Sequence, residues 1–371
     1  MPHQPPTVSA LPEPFAWIGT LVRDVFTVAD VTTGVDRGPA LRLRGALLVA
    51  SEEAYARLAP AVRARGYWLA LRRQAAGDEL ILLRPPEARR APRLALNAVL
   101  AVATLLSVLF AYAFYWSGVD IMAGGLWAAM RQGLGFAASV LGIVLAHELG
   151  HYGMARHLGV HVTPPFLIPF PLSPMGTMGA AMVLSEPPPN RRAMLRIGLA
   201  GPLAGLLVAL PVLLYGLSRS SVGPLPSEGG YMAEGNSLLY LALKALVHGR
   251  LLPSGGVDVD LHPLAFAGWS GLLMTGVNLL PVGQLDGGHI LSAWLGRRAR
   301  RFVWPILGVL LLLGIWWRGW LLWAALVFLL SRGQVEPLDG ISALRRGDIA
   351  LAIGALLLFA LLFTPIPMRI V

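Results

Sequence analysis

The chain has 371 residues, 56% of them hydrophobic and only 13% charged, with a mean hydropathy of +0.64. Soluble domains are nearer a quarter charged, so this balance excludes an ordinary water-soluble enzyme and predicts a membrane protein. The absence of cysteine excludes disulfides and thiolate metal ligands, and the net charge of +10 lies in arginines flanking apolar segments, which reads as topology and lipid contact rather than nucleic-acid binding.

Residues 1–39 are rich in Pro, Thr and Asp with little periodicity, and are expected to be extended or partly disordered. They show no basic stretch followed by an apolar core and a small-residue cleavage site, so a removable signal peptide is not expected. Residues 40–93 read as a small α+β domain and a charged linker. Leu41–Ala50 is a predicted strand, Ser51–Arg65 a helix, and Tyr67–Arg72 with Glu79–Leu83 a hairpin turning at Ala76-Gly77-Asp78. Residues 94–371 form the membrane-embedded part.

A bilayer-spanning helix needs about 20 apolar residues. Leu94–Trp116, Leu134–Arg156, Ala193–Leu217 and Leu264–Leu295 meet that length, followed by Phe302–Trp317, a short Trp320–Leu330, and Ile349–Phe363. The expected fold is therefore a polytopic α-helical membrane protein of six or seven spans. Basic clusters at Arg89/Arg90/Arg93, Arg191/Arg192, Arg297–Arg301 and Arg345/Arg346 fall on one side if each segment crosses once. The positive-inside rule makes that side cytoplasmic. A bacterial-type inner (plasma) membrane is expected, with the N-terminal domain and the active-site side in the cytoplasm.

The second span carries His147-Glu148-Leu149-Gly150-His151. Histidines at i and i+4 share one helix face and can reach a single zinc ion, and Glu148 is placed to take a proton from the water that ion activates. The motif alone also occurs in unrelated helices, but ionisable groups inside a span are costly and usually functional. His157 and His161 are out of register and read as interfacial residues.

Residues 160–185 carry Pro164, Pro165, Pro169, Pro171 and Pro174, which forbid a regular helix, and Gly176 and Gly179 remove bulk around Thr177 and Met178. This segment is expected to be a re-entrant extended or β piece whose free edge, at Gly176, Thr177, Met178 and Gly179, binds an unwound substrate peptide. A cytoplasmic surface loop is the plainer alternative. Gly198–Gly205 is a small-residue face and reads as a helix-packing seam.

A catalytic zinc needs one more protein ligand. Asp286 follows an apolar segment interrupted by Gly276, Pro281 and Gly283, at a depth matching His151. An Asp-Gly pair is also the pattern of a helix-ending turn, but with the histidines at the same depth it completes a metal reading. His289 either orients Asp286 or makes a lone polar contact.

His147–His151 together with Asn278-x-x-Pro281-x-x-x-x-Asp286-Gly287 resembles the site-2 protease family of intramembrane zinc metalloproteases. Gly268-Trp-Ser-Gly-Leu272, Asn278–Gly288 and Pro169–Ala180 are similar to its EGY-like branch, and the similarity runs from about Ala40 to the C-terminus. The resemblance implies one zinc ion per chain on His147, His151 and Asp286, Glu148 as catalytic acid/base, and Asn278 contacting the substrate backbone. It further implies cleavage in or near transmembrane segments of membrane-anchored proteins. Ser218–His262 is too short for the PDZ-like insertion of many bacterial members, so gating by such a domain is not expected. The competing classes are a membrane metal-ion transporter, which would line a path with polar groups at several depths, and a catalytically silent scaffold.

Overall fold

Alternating apolar residues in the N-terminal region build a sheet with one buried face. The computed structural model describes residues 11–34, 40–85, 94–120, 125–225, 232–331 and 336–370. The chain divides into two units, the first comprising Met1–Ala91, Ser185–Met194 and Val335–Asp348. In the first unit, helix α1 (Ala16–Val22) leads to strand β1 (Phe26–Thr33) and strand β2 (Leu41–Leu47). Helix α2 (Ser51–Arg63) and strands β3 (Trp68–Gln74) and β4 (Gly77–Leu83) follow. The strands form one sheet in the order β1-β2-β4-β3, with all neighbours antiparallel. Helix α2 buries Ala54, Leu58 and Val62, the spacing of one helix face, with Glu52 and Glu53 in its first turn and Arg63 in its last.

One expectation changes here. Residues 11–34 are not an irregular tail: Phe15, Ile18, Val22 and Phe26 enter the core beside Leu41, Leu43, Leu71 and Leu80, and β1 pairs along the length of β2. Four large apolar side chains on one face outweigh the Pro, Thr and Asp around them. Residues 1–10, 35–39 and the linker at 86–93 lie outside the described residues. The first stretch of the module ends at Ala91, beside Pro92, and two later segments join it. The outer edge of β3 continues through Leu71 N–H to Leu338 O (2.9 Å) and Gly340 N–H to Leu71 O (3.0 Å), and that segment is held by Leu338 N–H to Pro188 O (2.8 Å). Ion pairs Arg63–Glu186 (3.0 Å), Arg72–Glu336 (3.1 Å) and Arg192–Glu52 (2.9 Å) fasten the same three stretches.

The second unit comprises Pro92–Leu184, Leu195–Gln334 and Ile349–Val371. It opens with helices α3 (Leu94–Tyr115), α4 (Leu126–Gln132) and α5 (Leu134–His157), then strands β5 (Phe166–Pro169) and β6 (Thr177–Ala181). Next come helix α6 (Arg191–Ser218), strands β7 (Ser221–Pro224) and β8 (Met232–Glu234), helix α7 (Leu238–His248) and strand β9 (Val257–Asp260). Helices α8 (Pro263–Asn278), α9 (Asp286–Leu295), α10 (Val303–Leu313), α11 (Gly319–Leu330) and α12 (Arg346–Leu362) precede the final strand β10 (Met368–Ile370). Among the described residues, α3, α5 and α6 are long and apolar enough to cross a membrane. The 160–185 segment contains the antiparallel pair β5–β6, with Phe166 opposite Ala181 and Pro169 opposite Thr177.

The expected single span Leu264–Leu295 is instead two helices, α8 and α9, separated at residues 279–285. Pro281 has no N–H to donate and Gly283 takes φ +64°, so the helix cannot run through. The expected Phe302–Trp317 span is shortened to α10, which begins after the 3₁₀ turn Gly296–Phe302 and ends in a turn at Gly314.

Gly45 lies on β2 beside the irregularity in β1, where a Cβ would stand 1.7 Å from Thr27 O. Gly45→Ala is expected to cost about 1–3 kcal/mol through overpacking. Amide exchange over 26–33 should accelerate roughly tenfold or more; unchanged protection would show that the β1–β2 pairing does not depend on this close approach.

Candidate metal centre

Helix α5 places His147, Glu148 and His151 in its buried part, at 2%, 8% and 7% exposure. The two Nε2 atoms face each other at 3.1 Å. Asp286, the first residue of α9, closes the group, with Oδ2 3.2 Å from His147 Nε2 and Oδ1 3.3 Å from His151 Nε2. The three residues offer ligand atoms all within 4.8 Å of one another, a group able to hold a metal ion.

The donor chemistry fits zinc. His151 Nδ1 lies 2.7 Å from Ile197 O, a contact that an N–H makes, so the Nε2 lone pair is left facing His147 and Asp286. Asp286 Oδ2 is buried without a hydrogen-bond partner. Two imidazoles and a carboxylate are a catalytic zinc donor set, and a cation at their meeting point supplies the partner that the buried oxygen lacks.

The backbone around Asp286 explains its sequence. A Cβ at Gly287 would lie 2.0 Å from Leu279 O, and one at Gly288 would lie 2.5 Å from Gly283 O. The loop 279–285 therefore folds down against the first turn of α9, which only glycine permits. Asp286 also sits at a helix N-terminus, where a carboxylate is favoured.

Helix α6 supplies the other wall. The small-residue seam read at Gly198–Gly205 is present, and it lies directly on the histidines. A Cβ at Gly201 would stand 2.1 Å from His151 Nε2 and 2.4 Å from Cδ2, and one at Gly205 would stand 3.3 Å from His147 Nδ1. Gly150 on α5 answers this from the other side, where a Cβ would meet Ala200 O at 2.5 Å and Ala204 Cβ at 2.7 Å. The role of Gly201 was missed in the sequence because a run of small residues marks close packing without naming the partner.

The other sequence-derived residues divide into two groups. A cavity of about 420 Å³ is lined by His147, Glu148, Thr177, Met178, Gly179 and Asn278, and by Ser270, which sequence reasoning did not single out. Asn278 places its amide nitrogen 3.3 Å from His147 Nε2. Thr177 Oγ1 donates to Ile168 O at 2.8 Å and accepts from Gly179 N–H at 3.0 Å, so its side chain braces the hairpin while Met178 is 56% exposed. Strand β6 pairs only with β5 among the described residues, which leaves one backbone edge without a strand partner. Gly176 does not line the cavity. It sits at φ +74° against α3, its carbonyl accepting from Ser107 Oγ at 2.6 Å. His289 packs its Cβ toward Gly198, and His157 and His161 are exposed, away from the ligand group.

Residues 135–314 match the profile of Peptidase family M50, a span that holds both histidines, Glu148 and Asp286. The chain carries a peptidase family M50 domain. With it and three helices of bilayer-crossing length, the chain is a membrane protein. It is 33% identical over 237 residues to the probable zinc metalloprotease EGY2, chloroplastic, of Arabidopsis thaliana, covering 62% of this chain and 40% of that one. It is 37% identical over 175 residues to the probable zinc metalloprotease EGY1, chloroplastic, of Oryza sativa subsp. japonica, covering 46% and 29%. The chain thus spans less than half the length of these curated relatives. A solved site-2 protease from Methanocaldococcus jannaschii is similar with a TM-score of 0.33 and 19% identity, over 66% of this chain and 93% of that one.

Gly201→Ala drives a methyl group onto the His151 ring and is expected to lower zinc affinity by roughly 10–100-fold, the scale of a disturbed ligand support. Gly153→Ala, on α5 where a Cβ would meet nothing within 4 Å, serves as the control. Zinc titration of the two purified variants compares them; equal affinities would detach the α6 glycine face from the metal centre.

Proposed function

We propose that this protein is an intramembrane zinc metalloprotease that hydrolyses peptide bonds in or near transmembrane segments of membrane-anchored proteins. The observation that carries the reading is the convergence of His147, His151 and Asp286 on one point beside Glu148, at the wall of a cavity lined by a helix of bilayer-crossing length. The M50 domain and relatives named as probable zinc metalloproteases support it.

His147 and His151 through Nε2, and Asp286 through its carboxylate, would hold one zinc ion per chain. Zinc bound there would polarise the scissile carbonyl and lower the pKa of water. Glu148, buried on the same helix face of the cavity, takes the proton of the attacking water and delivers it to the leaving amine. Asn278 stands beside His147, where its amide can hold the substrate backbone near the cleaved bond. The free edge of β6 at Thr177, Met178 and Gly179 offers main-chain hydrogen bonds to a substrate helix once it has unwound, and Gly176 sets the turn that precedes this edge.

The β5–β6 hairpin is then a re-entrant piece. The chain makes six or seven crossings, with α8 and α9 forming one broken crossing, because irregular backbone at membrane depth is tolerated where it lines a cavity. This reading keeps the chain in an inner (plasma) membrane of bacterial type, and the arginine clusters favour the orientation that puts the active-site end of α5 at the cytoplasmic face. A transporter would spread polar groups along a path, whereas these converge at a single depth.

Glu148→Gln is expected to reduce cleavage of a model single-span substrate in detergent by about 10²–10⁴-fold while zinc content stays at the wild-type level. Turnover retained in that variant would overturn the assignment. Asp286→Ala should lose bound zinc; unchanged stoichiometry would remove it from the ligand set.

A further inference from the structure

Ser270 on α8 is 4% exposed, and its Oγ is buried without a hydrogen-bond partner. Several other helical hydroxyls bond back to the carbonyl four residues earlier. Thr275 does so to Gly271 at 2.8 Å on the same helix, Thr104 to Leu100 at 2.7 Å, and Ser139 to Gly135 at 2.9 Å. Ser270 has the same local option one turn back at Phe266 and leaves it unused. A lone hydroxyl in an apolar interior is costly, so an unpaired one invites a ligand that completes it.

Its position identifies the ligand. Ser270 lines the cavity that holds His147 and Glu148, amid Val140, Ile143, Leu273 and Met274. Asn278 lies eight residues along α8, which at 1.5 Å per residue is about 12 Å toward the metal centre. Between the two, Met274 faces β6 closely enough that a Cβ at Gly179 would lie 3.7 Å from its sulfur. The cleft between β6 and α8 therefore has Asn278 at its catalytic end and Ser270 farther along. An extended peptide advances about 3.3 Å per residue, so about 12 Å corresponds to roughly three or four residues.

We infer that Ser270 is a specificity-determining residue that hydrogen-bonds a neutral polar side chain (Ser, Thr, Asn or Gln) three or four residues from the scissile bond of the substrate's membrane segment. This rests on the protease reading above. The substrate class narrows accordingly to membrane segments that carry a small uncharged polar residue at that spacing in an otherwise apolar stretch. Within a hydrocarbon setting such a side chain gains most from a partner, and an all-apolar segment would leave Ser270 unpaired.

The test is a substrate scan with purified full-length enzyme and a single-span substrate of Leu and Ala. One Ser is placed in turn at each position within five residues of the cleaved bond on both sides. Wild-type enzyme is expected to show a kcat/KM about tenfold above the all-apolar parent at a position three or four residues from the bond. In Ser270→Ala that ratio should fall to about one, and Ser270→Thr should restore it. A scan without a preferred position, a preference that survives Ser270→Ala, or an equal loss of kcat/KM across all substrates would each overturn the inference. The wild-type scan decides the matter even if a variant does not fold. Cleavage of no substrate at all by zinc-loaded wild-type enzyme would instead count against the protease reading itself.

Discussion

Two imidazole nitrogens held 3.1 Å apart beside a buried carboxylate, inside an apolar helix bundle, set the terms for the rest of the domain. Little of this group is exposed, so most of its polar contacts come from the protein or from a cation. Ile197 O takes the N–H of His151 and fixes which nitrogen remains available. Asp286 brings the negative charge, and its unpaired Oδ2 marks where positive charge belongs. The three side chains therefore form a group able to hold a cation.

Meeting that constraint shapes the neighbouring backbone. Helix α6 can approach the rings only because Gly201 and Gly205 lack side chains, and Gly150 lets α5 approach in return. Helix α8 must end at Asn278 so that α9 can begin at Asp286, and Gly287 and Gly288 let the intervening loop fold down over that first turn. Pro281 prevents the two helices from joining into one. The same break leaves Asn278 at a helix end, next to His147, with the cavity and the open edge of β6 alongside.

The parts of this arrangement that were legible in the sequence are the short-range ones. The i, i+4 histidines and the Pro281, Gly283 and Asp286 pattern declare their chemistry within a few residues, and the proline run forces the hairpin out of a helix. What stayed hidden depends on partners far along the chain. A Gly201 that touches His151 looks the same in sequence as any glycine in a packing seam. The N-terminal sheet borrows residues 188–190 and 338–340 through backbone bonds that carry no side-chain signature, so these later additions could not be read. Residues 11–34 read as irregular by composition, although Phe15, Ile18, Val22 and Phe26 were already spaced to enter a core. Gly176 was grouped with Met178 and Gly179 by adjacency, yet its carbonyl is held by Ser107 and it turns away from the cavity. Ser270 lies in the Gly268–Leu272 stretch that carries the resemblance, but its role stayed hidden because a helical serine ordinarily satisfies itself.

The central claim is that His147, His151 and Asp286 together hold one zinc ion. X-ray absorption at the zinc edge of the purified, full-length protein tests it most directly. The account predicts one zinc per chain with a first shell of nitrogen and oxygen at about 2.0–2.1 Å, containing two imidazoles and no sulfur, and one imidazole fewer in His151→Ala. A zinc-free protein, a sulfur-containing shell, or a shell unchanged by that substitution would contradict it.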